Sequence, residues 1–191
     1  MSRAFDKLTY VIEGDDFQHV RVSLSPGGAI RAEPGSFMWM EPGIEMDTST
    51  GGGLVAGLKR KISGESFFIT TFSNRGSALA TVGFAGPSPG KILSVDLARG
   101  TVLCQRDSYL CSTVDAQVSL AFTRRLGAGF FGGEGFILQK VTGTGLAFFH
   151  ACGSIIEREL QQGETLRVDT GCLVGMEATV EYDVERVKGV K

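Results

Sequence analysis

Polar catalysis needs side chains that hold metals, move protons or attack carbon, and this chain has few of them. Its 191 residues include two histidines, His19 and His150, and four cysteines, Cys104, Cys111, Cys152 and Cys172. A metal site needs converging His, Cys or carboxylate ligands. No H-x-H or C-x-x-C spacing brings two such ligands together in sequence, so packed or surface roles are expected for them. A serine or cysteine nucleophile needs a base, and either histidine could reach a thiol only through the fold. No catalytic residue, metal ligand or cofactor is therefore expected.

Two glycine-rich stretches resemble phosphate cradles. Gly127-Ala128-Gly129-Phe130-Phe131-Gly132 spells G-x-G-x-x-G. A dinucleotide site needs a helix after that loop, because the helix N-terminus holds the pyrophosphate. The residues that follow, Phe136 to Val141, read instead as a strand. GPSPGK, from Gly86 to Lys91, lacks the spacing of a phosphate loop and the Ser/Thr after its lysine. Lys59-Arg60-Lys61 is the one strong basic cluster, a candidate contact for RNA or an anionic surface and otherwise a solvated face. Arg158 and Glu159, near Glu134 and Glu157, are expected to face water.

Composition narrows the classes. The net charge of −2 argues against a general nucleic-acid binder, which must neutralise phosphates. The N-terminus, MSRAFDKLTYVIEGDD, has no apolar signal region, and no run approaches the length of a bilayer span. Cysteines without a framework suggest reduced thiols in a cytoplasmic setting. Hydrophobic residues make up 42%, enough for a sizeable core, and 27 glycines against 5 prolines imply many tight turns.

The elements that would position these groups read as strands. In HVRVSLS, Val20, Val22 and Leu24 alternate with His19, Arg21 and Ser23, a period of two with one buried face. In VEYDVE, Val180, Tyr182 and Val184 alternate with Glu181, Asp183 and Glu185. Leu166 and Val168 alternate with Arg167 and Asp169. FFIT (Phe67 to Thr70) and LAFF (Leu146 to Phe149) are apolar at both parities and predict strands covered on two faces. Pro-Gly and Asn-x-Gly turns separate the runs at sandwich or barrel spacing. Helical candidates are limited to Ala56–Ile62 and Val118–Leu126. Phe37-Met38-Trp39-Met40 is expected in the core.

An internal repeat organises the chain into a single domain, 1–191. LSPGGAIRAEPGSFMWMEPGIEMD, from Leu24, aligns without gaps with LQQGETLRVDTGCLVGMEATVEYD, from Leu160. Gly27 falls on Gly163, Ile30 on Leu166, Gly35 on Gly171, and Met40-Glu41 on Met176-Glu177. A weaker copy starts at Leu97 and keeps Gly100, Leu103 and Leu110. The segments between copies echo each other too: Gly64-Glu65 precedes one strand, and Gly133-Glu134 precedes another. Gly132, Gly133, Glu134, Gly135, Gly143 and Gly145 form the candidate structural turn motif around it. One such unit cannot cover its own apolar face, whereas three packed together can.

GGEGFILQKVTGTG (Gly132 to Gly145), IIERELQQGETLRVDTGCLVGME (Ile155 to Glu177) and PGSFMWM (Pro34 to Met40) closely resemble the mitochondrial-biogenesis family named for altered inheritance of mitochondria. The likeness spans nearly the whole chain. It implies a fold like the tryptophan RNA-binding attenuation protein: an all-β sandwich of double-stranded β-helix type with three similar subdomains. It implies no catalytic residues, and its mitochondrial members resemble non-enzymatic organisation factors. Relatives commonly run past a segment like Val184 to Lys191 into another Gly-Gly-Glu-Gly block; without it, an edge would be open or paired by a neighbour.

The resulting expectation is a non-catalytic scaffold or interaction domain whose partner is a protein or a second copy of itself, the net charge arguing against a general nucleic-acid binder without excluding a local basic patch. Two alternatives stay open: a ligand- or metal-dependent enzyme in a barrel mouth, and an RNA or anionic-surface binder through Lys59, Arg60 and Lys61. Burial of Val180, Tyr182 and Val184 is expected. The matching expectation for Leu166→Ala is a loss of about 2–5 kcal/mol, read by denaturant unfolding.

Overall fold

The computed structural model describes residues 8–48, 69–124 and 136–185. Among them the regular elements longer than one turn are all strands: β1 (Leu8–Glu13), β2 (His19–Leu24), β3 (Ala29–Ala32), β4 (Phe37–Met40), β5 (Ile44–Asp47), β6 (Thr70–Asn74), β7 (Ala80–Ala85), β8 (Gly90–Asp96), β9 (Val102–Gln105), β10 (Tyr109–Thr113), β11 (Ala116–Arg124), β12 (Phe136–Gly143), β13 (Leu146–Cys152) and β14 (Gly175–Glu177). They form three antiparallel sheets, ordered β1-β2-β7-β4, β5-β6-β3-β10-β13-β8 and β11-β12-β9-β14. The all-β expectation holds.

The six-stranded sheet is the middle layer, which follows from the parity of β13. Phe148 enters a core with Val20, Val22, Leu24, Val82 and Phe84 of the first sheet. Its neighbours Ala147 and Phe149 enter a second core with Cys104, Ala116 and Val141 of the third sheet. LAFF is therefore covered on both faces, as its unbroken apolar run predicts. β2 alternates as its sequence does, with Val20, Val22 and Leu24 fully buried. Phe72 is central to the first core: it stacks on Phe37 at 5.2 Å between centroids and meets Phe84 edge-on at 5.2 Å. Such pairs add to area burial because ring quadrupoles favour offset and edge contacts.

One buried polar group holds a turn in place. The Asn74 amide, fully buried, donates to the carbonyls of Leu24 (2.7 Å) and Ala78 (2.8 Å), and its Oδ1 accepts from the Gly76 N–H at 2.9 Å. Burial without those partners would carry a desolvation cost. Gly143 turns β12 into β13 at φ +116°, a region that side chains avoid, and a Cβ there would strike the Asp115 carbonyl.

Backbone hydrogen bonds recur between the segments aligned at Leu24 and Leu160. Gly28 N–H donates to Ser25 O at 2.8 Å, and Glu164 N–H to Gln161 O at 2.9 Å. Ser36 to Glu33 (3.0 Å) has its counterpart in Cys172 to Asp169 (2.9 Å), and Ile44 to Glu41 (3.3 Å) in Val180 to Glu177 (3.1 Å).

Several expectations are corrected. Val118 to Leu126 is no helix: its described part lies in β11, paired along β12, since two turns lacking an apolar stripe have little to hold them. The other helical candidate, Ala56–Ile62, lies outside the described residues, as do Phe67 and Phe68. VEYDVE is not a strand. Val184 is buried against Phe136 and Leu138, but Val180 is half-buried and Tyr182 is 40% exposed. Leu166 and Val168 are 48% and 49% exposed and stand in no ladder. Alternation encodes a buried face only where a neighbouring strand and layer exist to cover it. Met38 and Met40 are exposed, because β4 is the last strand of its sheet, while Trp39 lies over Gly83.

The stability expectation is revised accordingly. In urea unfolding, Phe72→Ala should cost about 3–5 kcal/mol and Leu166→Ala less than about 1 kcal/mol. Equal losses would mean that residue 166 is covered in solution.

Candidate functional site

The fold gathers the scattered polar residues at one corner, where β7 passes into β8. His19 opens β2 and lies opposite Ala85, the last residue of β7. The next residue, Gly86, packs on the ring of His150, and a Cβ at 86 would fall inside that ring. His150 and Cys152 lie at the end of β13, in register with Ile92 and Gly90 of β8. Both histidines of the chain thus reach the same end of the sheets.

At the corner, Ser88 touches two partners. Its Oγ is 3.0 Å from the Cys152 Sγ, and its carbonyl lies 3.1 Å from Nε2 of His150. A carbonyl only accepts, so that bond assigns the proton to Nε2 and leaves Nδ1 as the acceptor nitrogen. His150 is buried, and desolvation holds its pKa below the ordinary value, partly offset by the Ser88 carbonyl. Residues 15–18 tie the first sheet to the middle one here. Lys91 Nζ donates to Asp15 Oδ1 (3.1 Å) and O (2.9 Å), Gln18 Oε1 accepts from Ile92 N–H (2.8 Å), and Gly90 N–H donates to Asp16 O (2.8 Å).

Beside the corner, Glu13 takes Arg21 at 2.8 Å and His19 at 3.1 Å. The hydrogen bond from Arg21 is the main reason its carboxyl titrates below the usual range. The buried thiols are further from reactivity. Burial pushes Cys104 up to about 12, and raises Cys111 well above a normal thiol. A protonated thiol is a poor nucleophile and a poor metal ligand. All four cysteines are free, and no three His, Cys, Asp or Glu side chains are grouped to hold a metal among the described residues.

The expected site residues fare unevenly. Lys59, Arg60 and Lys61, Gly132, Gly133, Glu134 and Gly135, and the G-x-G-x-x-G stretch lie outside the described residues. β12 does follow that stretch, as the sequence predicts. Gly143 and Gly145 form the β12–β13 turn. Arg158 is exposed, as expected, and pairs at the surface with Glu164 at 3.1 Å. Sequence reasoning missed Ser88. Gly86-Pro87-Ser88-Pro89-Gly90 spells G-x-S-x-G in the letters, which corrects the expectation that the chain has no G-x-S-x-G nucleophile elbow to weigh. Its setting differs from a hydrolase elbow: the loop joins strand to strand, and the imidazole meets the serine carbonyl rather than the hydroxyl. Pairing of β8 with β13, which brings Cys152 to Ser88, had no local signature.

Three antiparallel sheets, a corner fastened by backbone bonds, and no helix long and apolar enough to cross a membrane among the described residues define an all-β layered protein. Residues 10–191 match the family described as mitochondrial biogenesis AIM24, and the chain belongs to that family. A Streptococcus pyogenes protein solved by X-ray crystallography is similar in fold, with a TM-score of 0.60 at 22% identity over 76% of this chain. The chain spans 65% of the length of that protein. No curated protein matches it.

The corner generates a pH prediction. The folded pKa of His150 lies below its unfolded value near 6.5, so the unfolded chain binds more protons as pH falls. The stabilisation is full above that value and is lost as pH drops through the folded pKa. Urea unfolding at pH 7.5, 6.5 and 5.5 should show a steeper loss for the wild type than for His150→Asn.

Proposed function

We propose that the chain is a non-catalytic interaction domain acting in a reducing, cytoplasmic setting, with a protein partner or a second copy as its target. One observation carries the reading: each polar group at the corner is engaged in holding the fold together. His150 Nε2 is bonded to the Ser88 carbonyl, Lys91 to Asp15, and His19 and Arg21 to Glu13. Cys152 faces a hydroxyl, which cannot remove its proton.

A second reading has its own observation. Ser88, His150 and Cys152 do converge, and a small ligand could settle against them as in other β-sandwich mouths. Affinity capture of the tagged protein from its own cells separates the two. The interaction reading expects one stoichiometric protein partner, retained equally by wild type and by a Ser88→Ala, Cys152→Ser double variant. Loss of the partner in that variant, or recovery of a bound small molecule in its place, would favour the corner as a ligand site.

A further inference from the structure

His150 is held in a slot cut to the shape of its ring. A Cβ at Gly86 would strike Cγ, Nδ1 and Cδ2 of the imidazole, and a Cβ at Gly90 would strike Nε2 and the Ala151 carbonyl. The loop between these glycines, 86–90, closes over the ring, and its Ser88 carbonyl accepts from Nε2 at 3.1 Å. The same loop carries the seam between the first and middle sheets. Gly90 N–H donates to Asp16 O (2.8 Å), Gln18 N–H to Gly90 O (3.0 Å) and Gly153 N–H to Pro89 O (3.2 Å). Ile92, opposite His150 in register and part of the first core, gives its N–H to Gln18 Oε1.

A neutral ring suits this slot and a charged one does not. With its proton on Nε2, the imidazole bonds to Ser88 and turns Nδ1 to the Cα of Gly86. Protonation would set a second N–H against that carbon, which accepts no hydrogen bond, in a residue only 4% exposed. The bond to Ser88 favours the cation, but loss of water disfavours it more, so desolvation prevails. The charged groups of the surrounding elements are engaged elsewhere. Lys91 of β8 pairs with Asp15 at 3.1 Å, and Glu13 of β1 takes His19 at 3.1 Å and Arg21 at 2.8 Å. Asp16 meets β8 through its carbonyl, and on β13 the Cys152 thiol meets the Ser88 hydroxyl. No carboxylate among them bonds the ring, so none offsets its charge by direct contact.

We propose that His150 is a proton-operated latch: the neutral ring holds the 86–90 loop shut over the seam, and protonation expels the ring and releases the loop together with residues 15–18. The opening is local. It uncovers Ile92 and the rim of β13, while the turn held by Asn74, at the far end of β2, stays formed. Protons favour the open form, because the ring binds them more tightly in water than in the slot. Opening therefore increases as pH falls below about 6.5 and levels off below the folded pKa. One proton is taken up, so the open fraction grows no faster than about tenfold per pH unit. The latch goes beyond the interaction reading and holds whether the corner meets a partner or not.

Amide exchange of the 191-residue chain, followed by NMR at pH 7.0 and 5.5 and divided by the rates of an unstructured chain, reads the latch. Protection of Gln18, Gly90, Ile92 and Gly153 should fall about two- to eightfold at the lower pH. Gly27 and Asn74, whose amides close the far turn, should keep theirs. His150→Asn removes the titration and should make protection at the corner independent of pH. Gly86→Ala places a methyl where the ring lies, so it should lower protection at the corner already at pH 7.0 and flatten its pH dependence. An equal fall at Gly27 and Asn74 would make the change global and overturn the latch. A wild-type fall retained in His150→Asn would assign the proton to another group and overturn it equally. Corner amides in Gly86→Ala that match the wild type at both pH values would do the same.

Discussion

The structure depends on a middle sheet buried on both faces. A strand in such a sheet must present apolar atoms at every position, and β13 does so from Ala147 to Ala151, with His150 the one polar exception. Phe148 commits one face to the first sheet, and Phe149 commits the other to the third. Two cores separated by one layer of backbone cannot slip independently, because a one-residue shift in register would exchange the faces of every side chain in the strand. The flanking sheets take their positions from this layer, and each needs alternation only on the face it turns inward.

That arrangement also explains the corner. A strand leaving a doubly covered sheet must satisfy its last polar groups at the rim. His150 does so with the Ser88 carbonyl, inside a pocket made by Gly86 and Gly90 that leaves no room for a Cβ. Residues 15–18 then fasten the first sheet to β8. Histidine, serine and cysteine meet there: the His150 ring holds the Ser88 backbone carbonyl, and the Ser88 and Cys152 side chains touch each other.

The family likeness and the fold agree at different levels. Membership rests on residues 10–191, while the likeness to the streptococcal protein, at 22% identity, concerns the backbone alone. Neither bears on a reaction. What the geometry adds is an account of exposed apolar side chains: among the described residues Met38 and Met40 lie on the last strand of their sheet, and Leu166 and Val168 lie in no ladder. Surface of that kind is the usual ground of association.

The sequence alone determined the strand chemistry. Alternation at Val20, Val22 and Leu24, the unbroken run of LAFF, and the Thr144-Gly145 turn after Gly143 are local facts of side-chain shape and backbone freedom, and they survive in the structure unchanged. It also determined the spacing that puts matching turns at Ser25 and Gln161. Tertiary structure decided everything that depends on a neighbour. Leu166 alternates as well as Val22 does, but only Val22 has strands on both sides and a layer above it. Ser88, His150 and Cys152 are separated by up to 64 residues in sequence and meet only because β8 pairs with β13. Periodicity records which face a strand would bury; hydrogen-bond partners and opposing layers, set by pairing between distant segments, decide whether it does.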